Sequence, residues 1–259
     1  MGKPVKGKHA IEVAVFTITL QKEMSKHSVD ALMTLKESLK EQYPVFNTVN
    51  RLAVRIEKDL VQNEVQTVSG VNLQQQDGHG KVLWTLRASD DSVAVSCFDY
   101  ERWEKISDRA FKNLLFVLSV IADDQNPITT IGLQYVDRFV GQADNYKLNQ
   151  VFNTKSRFFT KQTMQSGSLW HIYQGWFQEI EGYDGKHLNV LNLSTNDTQL
   201  GLITTIDHTS RIHFSQLIPV THITEEFVSP LYQLLHDCNK SILIDLLNAK
   251  QRKDIKLSS

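Results

Sequence analysis

Val82, Trp84 and Leu86 recur at every second position, and after Ser89-Asp90-Asp91-Ser92 a second alternation runs through Val93, Val95 and Cys97. A period of two puts each set on one face of an extended strand. A connection this short cannot form the long crossover that parallel strands need, so these strands must pair antiparallel. The polar run 74–80, closing in Asp77-Gly78-His79-Gly80, is a turn leading into the first of them. Short antiparallel connections therefore set the fold, and the remaining segments have to be compatible with them.

Residues 11–20 mix β-branched and aromatic side chains and read as a strand, as do residues 51–57, with Leu52, Val54 and Ile56 on one face. Residues 61–73 are weakly patterned. Residues 128–140 read as a further strand, with Ile131, Leu133, Tyr135 and Phe139 together. Three helices are predicted. The first carries Leu32, Leu35, Leu39 and Tyr43, capped by Ser28 and ended at Pro44. The second, capped by Asp99, carries Trp103, Ile106, Ala110, Leu114, Val117 and Ile121. The third, opened by Ser229-Pro230 in preference to Thr224, carries Leu231, Leu234, Leu235, Cys238, Ile242 and Leu246. Strands over about 169–180, 187–195 and 199–214 precede it, and the charged last ten residues are expected to fray.

The fold class is accordingly α+β, a mainly antiparallel sheet or sheets with three principal amphipathic helices in two fused halves. Residues 1–140 form an N-terminal α+β half, 141–168 a connector and 169–259 a C-terminal α+β half, or the whole forms one continuous domain. A chain of 259 residues buries roughly 70–75% of its unfolded surface, enough for a core without disulfides or metal. With 28 basic and 29 acidic residues and a net charge of −1, it lacks the basic excess of a dedicated duplex-DNA binder. Cys97 and Cys238 both fall in apolar patterns, which suits a reducing compartment. The most apolar stretch, residues 114–122, is too short to span a bilayer. The expected location is cytoplasmic, without membrane association.

Candidate chemistry is sparse. His208 and His213 share a strand, but alternation puts His208 with Ile206 and Ile212, and His213 with Asp207 and Arg211 on the opposite face. Cys97 and His236 have the types of a thiolate pair, although apolar alternation favours an inert core thiol. The segment from Gly78 to Val82 lacks the glycine spacing and hydroxyl of a phosphate-binding loop. Glu181, Asp184 and Lys186 have the acid-x-Lys spacing of metal-dependent nucleases, yet Asp184-Gly185 also suits a tight hairpin turn with positive φ. In the connector, Lys155, Arg157 and Lys161 interleave with Phe158 and Phe159, a pattern that suits nucleic acid or a partner; the competing reading anchors the rings on the core. Trp170, Tyr173, Trp176 and Phe177 crowd one strand, open to core or interface.

Five separated stretches, Ile11-Glu12-Val13-Ala14-Val15, Glu41-Gln42-Tyr43-Pro44, Phe98-Asp99-Tyr100-Glu101-Arg102-Trp103, Gly132-Leu133-Gln134-Tyr135-Val136-Asp137 and Leu235-His236-Asp237, occur in an order that resembles an uncharacterised, sporadically distributed prokaryotic family of about this length. The resemblance implies the same fold outline, and the family offers no established catalytic residues to carry over. Its patchy distribution is that of genes on mobile or defence islands, which implies work beside other proteins. The expectation is a non-enzymatic accessory or sensor subunit that binds an effector or ATPase of the same operon in an antiviral defence system, without cofactor or metal. The alternative is a nucleic-acid-binding subunit or divergent nuclease. Self-association is compatible with either reading.

Overall fold

In the computed structural model, residues 2–57, 60–123, 125–141, 146–180, 184–199 and 201–257 are described, with backbone alone over 52–66. Ten strands, β1 Lys3–Pro4, β2 Ile11–Leu20, β3 Val45–Glu57, β4 Leu60–Gln76, β5 Val82–Ser89, β6 Ser92–Cys97, β7 Ile128–Gly141, β8 Trp170–Gln178, β9 Gly185–Thr198 and β10 Gly201–Ile218, form a hydrogen-bonded sheet in the order β3-β4-β5-β6-β2-β7-β10-β9-β8, with β1 also on β7. The ladders of β3 with β4, β4 with β5, β5 with β6, β8 with β9 and β9 with β10 are all antiparallel. The α+β class read from alternation and short turns is the observed one. No helix among the described residues is long and apolar enough to cross a membrane.

Local signals account for the turns. Asp90 takes a positive φ of 59° between Ser89 and Ser92, which face each other across β5 and β6. At the next turn out, the Asp77 carboxylate accepts from the amides of His79 and Lys81 at 2.9 and 3.0 Å, and Gly80 supplies a φ of +80°. Residues 61–73 belong to the long strand β4, paired with β3 along its length and with β5 from Gly70 onward. Their polar composition gave little periodicity, and ladder hydrogen bonds define the strand instead. The side chains of Leu52, Val54 and Ile56 lie outside the described residues.

The helices α1 Lys26–Leu32, α2 Leu35–Ser38, α3 Trp103–Val120, α4 Lys161–Gln165, α5 Glu225–Leu246 and α6 Ala249–Asp254 correct several sequence-based boundaries. The first predicted helix is two short ones. Ser25, not Ser28, caps α1, and Thr34 Oγ1 donates to the Ala31 carbonyl at 2.8 Å, a side-chain bond that competes with helix continuation. Helix α3 starts from Arg102, whose backbone is extended, rather than from Asp99. For α5 the Thr224 hydroxyl accepts from the Phe227 amide at 3.3 Å, so Thr224 is the cap and Pro230 sits within the helix. The apolar stripes of both long helices face inward as read.

Contacts divide the chain into two compact units, one of residues 1–15, 132–215 and 230–259, the other of residues 16–131 and 216–229. In the second, Phe16 stacks on Trp103 at 5.6 Å and meets Phe111 edge-on at 6.1 Å, while the buried Tyr43 hydroxyl accepts from Asn113 Nδ2 at 3.0 Å. In the first, Phe139, Phe152, Leu191, Leu193, Ile206, Ile242 and Leu246 form a continuous core.

Of the last ten residues, expected to fray, 250–254 are instead ordered in α6. Asn248 caps it, accepting from the Gln251 amide at 2.8 Å. The fully buried Gln251 Nε2 donates to the carbonyls of Gly2 and Gln150 at 2.7 and 3.0 Å, tying the N-terminal strand to the last helix within this unit. Replacing Gln251 by Ala should leave both carbonyls short of a donor and cost about 1–3 kcal/mol. The urea midpoint should fall without a change in slope; an unchanged midpoint would show the tie to be dispensable.

Candidate functional site

Strand β8 stands at one end of the sheet order and pairs only with β9 among the described residues. Alternation divides its aromatics. Trp170 is buried and Trp176 packs against the core cluster, whereas Tyr173 and Phe177 are 68% and 63% exposed. The core reading holds for Trp170 and Trp176, while Tyr173 and Phe177 face solvent on the other side. Gly175 lies between the exposed rings, and a Cβ there would come within 3.3 Å of the Asn189 carbonyl. The outward row continues across the ladder: Phe177 opposite Leu188 and Arg211, Gly175 opposite Val190 and Thr209, Tyr173 opposite Asn192 and Asp207. Asp207 is held by Gln134 Nε2 at 2.8 Å, and His171 Nε2 bonds Asn192 Oδ1 at 2.8 Å. The strand itself, Trp-His-Ile-Tyr-Gln-Gly-Trp-Phe-Gln, carries no Lys, Arg, Asp, Glu or Pro.

The predicted connector residues lie against the inner side of this strand. Phe158 is buried, 5.4 Å from Trp176, and Phe159 meets Phe152 and Trp170 edge-on at 4.9 and 5.9 Å. Lys155, Arg157 and Lys161 are exposed, and the Arg157 guanidinium lies 5.0 Å from the centre of the Phe158 ring. The structure therefore brings the connector and the aromatic strand together, with rings inward and cations outward.

Asp184 and Lys186 are exposed where β9 begins, and Glu181 lies outside the described residues. The expectation of positive φ at Asp184-Gly185 is overturned, since neither residue has it. Glycine is needed at 185 for a different reason: a Cβ would sit 2.6 Å from the His213 carbonyl oxygen of the paired strand. Among the described residues no group of three His, Cys, Asp or Glu side chains is placed to hold a metal ion.

A buried polar seam runs along the inner faces of β9 and β10 under α5. Alternation points His187 and Asn189 of β9 and His208 and Ser210 of β10 inward, and all four are at most 1% exposed. Gln178 Nε2 donates to His187 Nδ1 at 2.9 Å, so His187 carries its proton on Nε2 and donates to Ser210 Oγ at 2.5 Å. Ser210 donates onward to Asn189 Oδ1 at 3.2 Å. From the other side Asn239 Nδ2 donates to His208 Nδ1 at 3.0 Å, and His208 Nε2 donates to the same Asn189 oxygen at 3.0 Å. Cys238 Sγ reaches that oxygen at 3.3 Å. The serine proton is thus directed at an amide carbonyl and the imidazole donates to the hydroxyl, the reverse of what a base activating a nucleophile requires. Burial pushes the His187 and His208 imidazoles down, to about 4 and about 3, the latter also by its histidine neighbour. Burial likewise raises the Cys238 thiol and takes Cys97 up to about 12. His236 lies apart from this seam, with Nδ1 bonded to the Tyr135 hydroxyl at 2.9 Å.

Sequence reasoning missed Asp137. It follows Ile131, Leu133 and Tyr135 on the buried face of β7, its Oδ2 is buried without a hydrogen-bond partner, and burial raises its carboxyl to about 7. The signal was present, because parity alone puts position 137 inside; residue type had removed it from the apolar set.

Comparison with known protein families, curated proteins and solved structures finds no match.

Opposite pH dependences follow. The two imidazoles stay neutral when folded but protonate near 6.5 when unfolded, so unfolding at pH 5 should take up about two protons and stability should fall as pH drops below about 6.5. His208→Gln should remove about one of those protons in urea titrations between about pH 4 and 8. Asp137 remains protonated up to about 7 when folded and ionises from 3.8 when unfolded, so its contribution is present at low pH and lost as pH rises. Asp137→Asn should therefore stabilise the protein at about pH 8 and leave it unchanged near pH 3. Equal effects at both would refute the buried protonated carboxyl.

Proposed function

We propose that this chain is a non-enzymatic accessory subunit that binds another protein, with β8 and its outer face as the docking surface. One observation carries the reading: an end strand free of charge and proline presents Tyr173 and Phe177 to solvent. Uncovered strands expose unpaired N–H and C=O groups, and proteins that leave them uncovered usually protect them with charge, proline or a bulge. A strand without charge or proline suits an added strand from a partner, with backbone hydrogen bonds for affinity and side-chain pockets for specificity. Tyr173 and Phe177 flanking Gly175 supply two aromatic anchors around a notch where a second backbone can approach. The resemblance to a sporadically distributed prokaryotic family directs the search for that partner to products of neighbouring genes, an effector or ATPase of a defence system among them.

A second reading, nucleic-acid binding, draws on the outward Lys155, Arg157 and Lys161. Binding of that kind weakens steeply with salt and would be reduced by Arg157→Ala.

The two readings separate in one experiment. Co-expressed with its neighbouring gene products, the wild-type chain should form a complex whose affinity falls at least tenfold (about 1.4 kcal/mol) in the double variant Tyr173→Lys, Phe177→Lys. Both positions are solvent-facing, so the melting temperature should not change. A complex indifferent to these substitutions, or a chain recovered only by itself, would refute the docking surface.

A further inference from the structure

Where β4, β5 and β6 meet α3, the inward row Leu73, Leu86 and Val95 is apolar and fully buried. Two positions further along, the same face carries Gln75, Trp84 and Cys97, and there the layer opens into a cleft of about 280 Å³. Strand residues Gln75, Leu83 and Trp84 line one side and Lys105, Ile106 and Arg109 of α3 the other. Asp99 and Glu101, both exposed, stand at its mouth.

The cleft has an ordered distribution of charge. Arg109 is half-buried, its guanidinium carbon 4.3 Å from the centre of the Trp84 ring and 5.5 Å from that of Tyr43. Its Nη2 donates to Gln75 Oε1 at 2.8 Å, and its Nε is buried without a hydrogen-bond partner. Lys105 is taken up by Glu101 at 2.6 Å, whereas no carboxylate among the described residues pairs with Arg109. Partly removing a guanidinium from water without an anion has a cost, and the faces of Trp84 and Tyr43 compensate for only part of it. A deep cation therefore lacks its anion. At the mouth the balance is reversed, because Asp99 makes no ion pair among the described residues while Lys105 and Glu101 cancel.

We propose that this cleft binds a small zwitterion of the amino-acid class, its carboxylate directed to Arg109 and its ammonium group to Asp99. A carboxylate suits the planar fork of Arg109. A simple anion would satisfy Arg109 but would meet the Asp99 carboxylate on the way in, and a simple cation would meet Arg109; a ligand bearing both charges avoids both conflicts. The volume lies just below the usual range for small-molecule sites, which suits a ligand smaller than a nucleotide.

The test is thermal stabilisation of the full chain by the proteinogenic amino acids, one at a time at roughly 10 mM, with sodium acetate and methylammonium chloride as single-charge controls. At least one amino acid should raise the melting temperature saturably, and neither control should. Calorimetric titration of that amino acid should show affinity reduced at least tenfold in Arg109→Gln and again in Asp99→Asn. Asp99 is exposed, so the second variant folds and keeps the test decisive even if loss of the stack on Trp84 destabilises the first. Three outcomes would overturn the proposal: no amino acid stabilises the protein, acetate does so equally, or Asp99→Asn leaves affinity unchanged.

Discussion

Strict alternation along paired antiparallel strands is the constraint on which most of this structure rests. Once a ladder is hydrogen-bonded, each residue has no choice of face, because slipping by one position would turn every side chain of the strand to the wrong side. In β7 the rule buries Ile131, Leu133, Tyr135 and Phe139 and takes Asp137 in with them. In β10 it buries His208 and leaves Arg211 in water. In β8 it sends Trp170 into the core and Tyr173 out. Polar groups are inside where parity requires it, and their neighbours have to accommodate them.

The seam beneath α5 shows what accommodation means energetically. Two imidazoles, a serine and two asparagines buried together would be costly if any were left unpaired. Every ring nitrogen has a partner, and each hydrogen-bond direction follows from the one before it, from Gln178 through His187 and Ser210 to Asn189, whose Nδ2 alone in this seam is buried without a partner. Such a network contributes little net stability over an apolar core of equal volume, but it disfavours any register in which these groups do not meet. Asp137 has no such arrangement around Oδ2, and burial raises its carboxyl to about 7.

The exposed features carry a different logic. The aromatic pair on β8 is exposed, its rings separated by a glycine and bordered across the ladder by Leu188 and Val190, and it is the surface proposed to receive another chain. The cleft beside α3 is small and lined by charges of both signs, the half-buried Arg109 and the exposed Asp99 among them.

Sequence alone determined the secondary structure wherever pattern and turn chemistry agree. The hairpin at Asp90, the turn at Asp77 and Gly80, the inward stripes of α3 and α5, and the opposite faces of His208 and His213 are all consequences of neighbours within a few residues. It also placed the aromatic strand and the cation-rich connector, but as two unrelated segments. Tertiary structure decided the rest, because the deciding contacts are between residues far apart in the chain. The Gln251 bond to Gly2 orders an end whose composition suggested fraying, and the carbonyl of His213 explains Gly185. Pairing of Phe158 with Trp176, of His187 with Ser210 and of Arg109 with Trp84 likewise depends on ladder registers and helix packing that no local window contains.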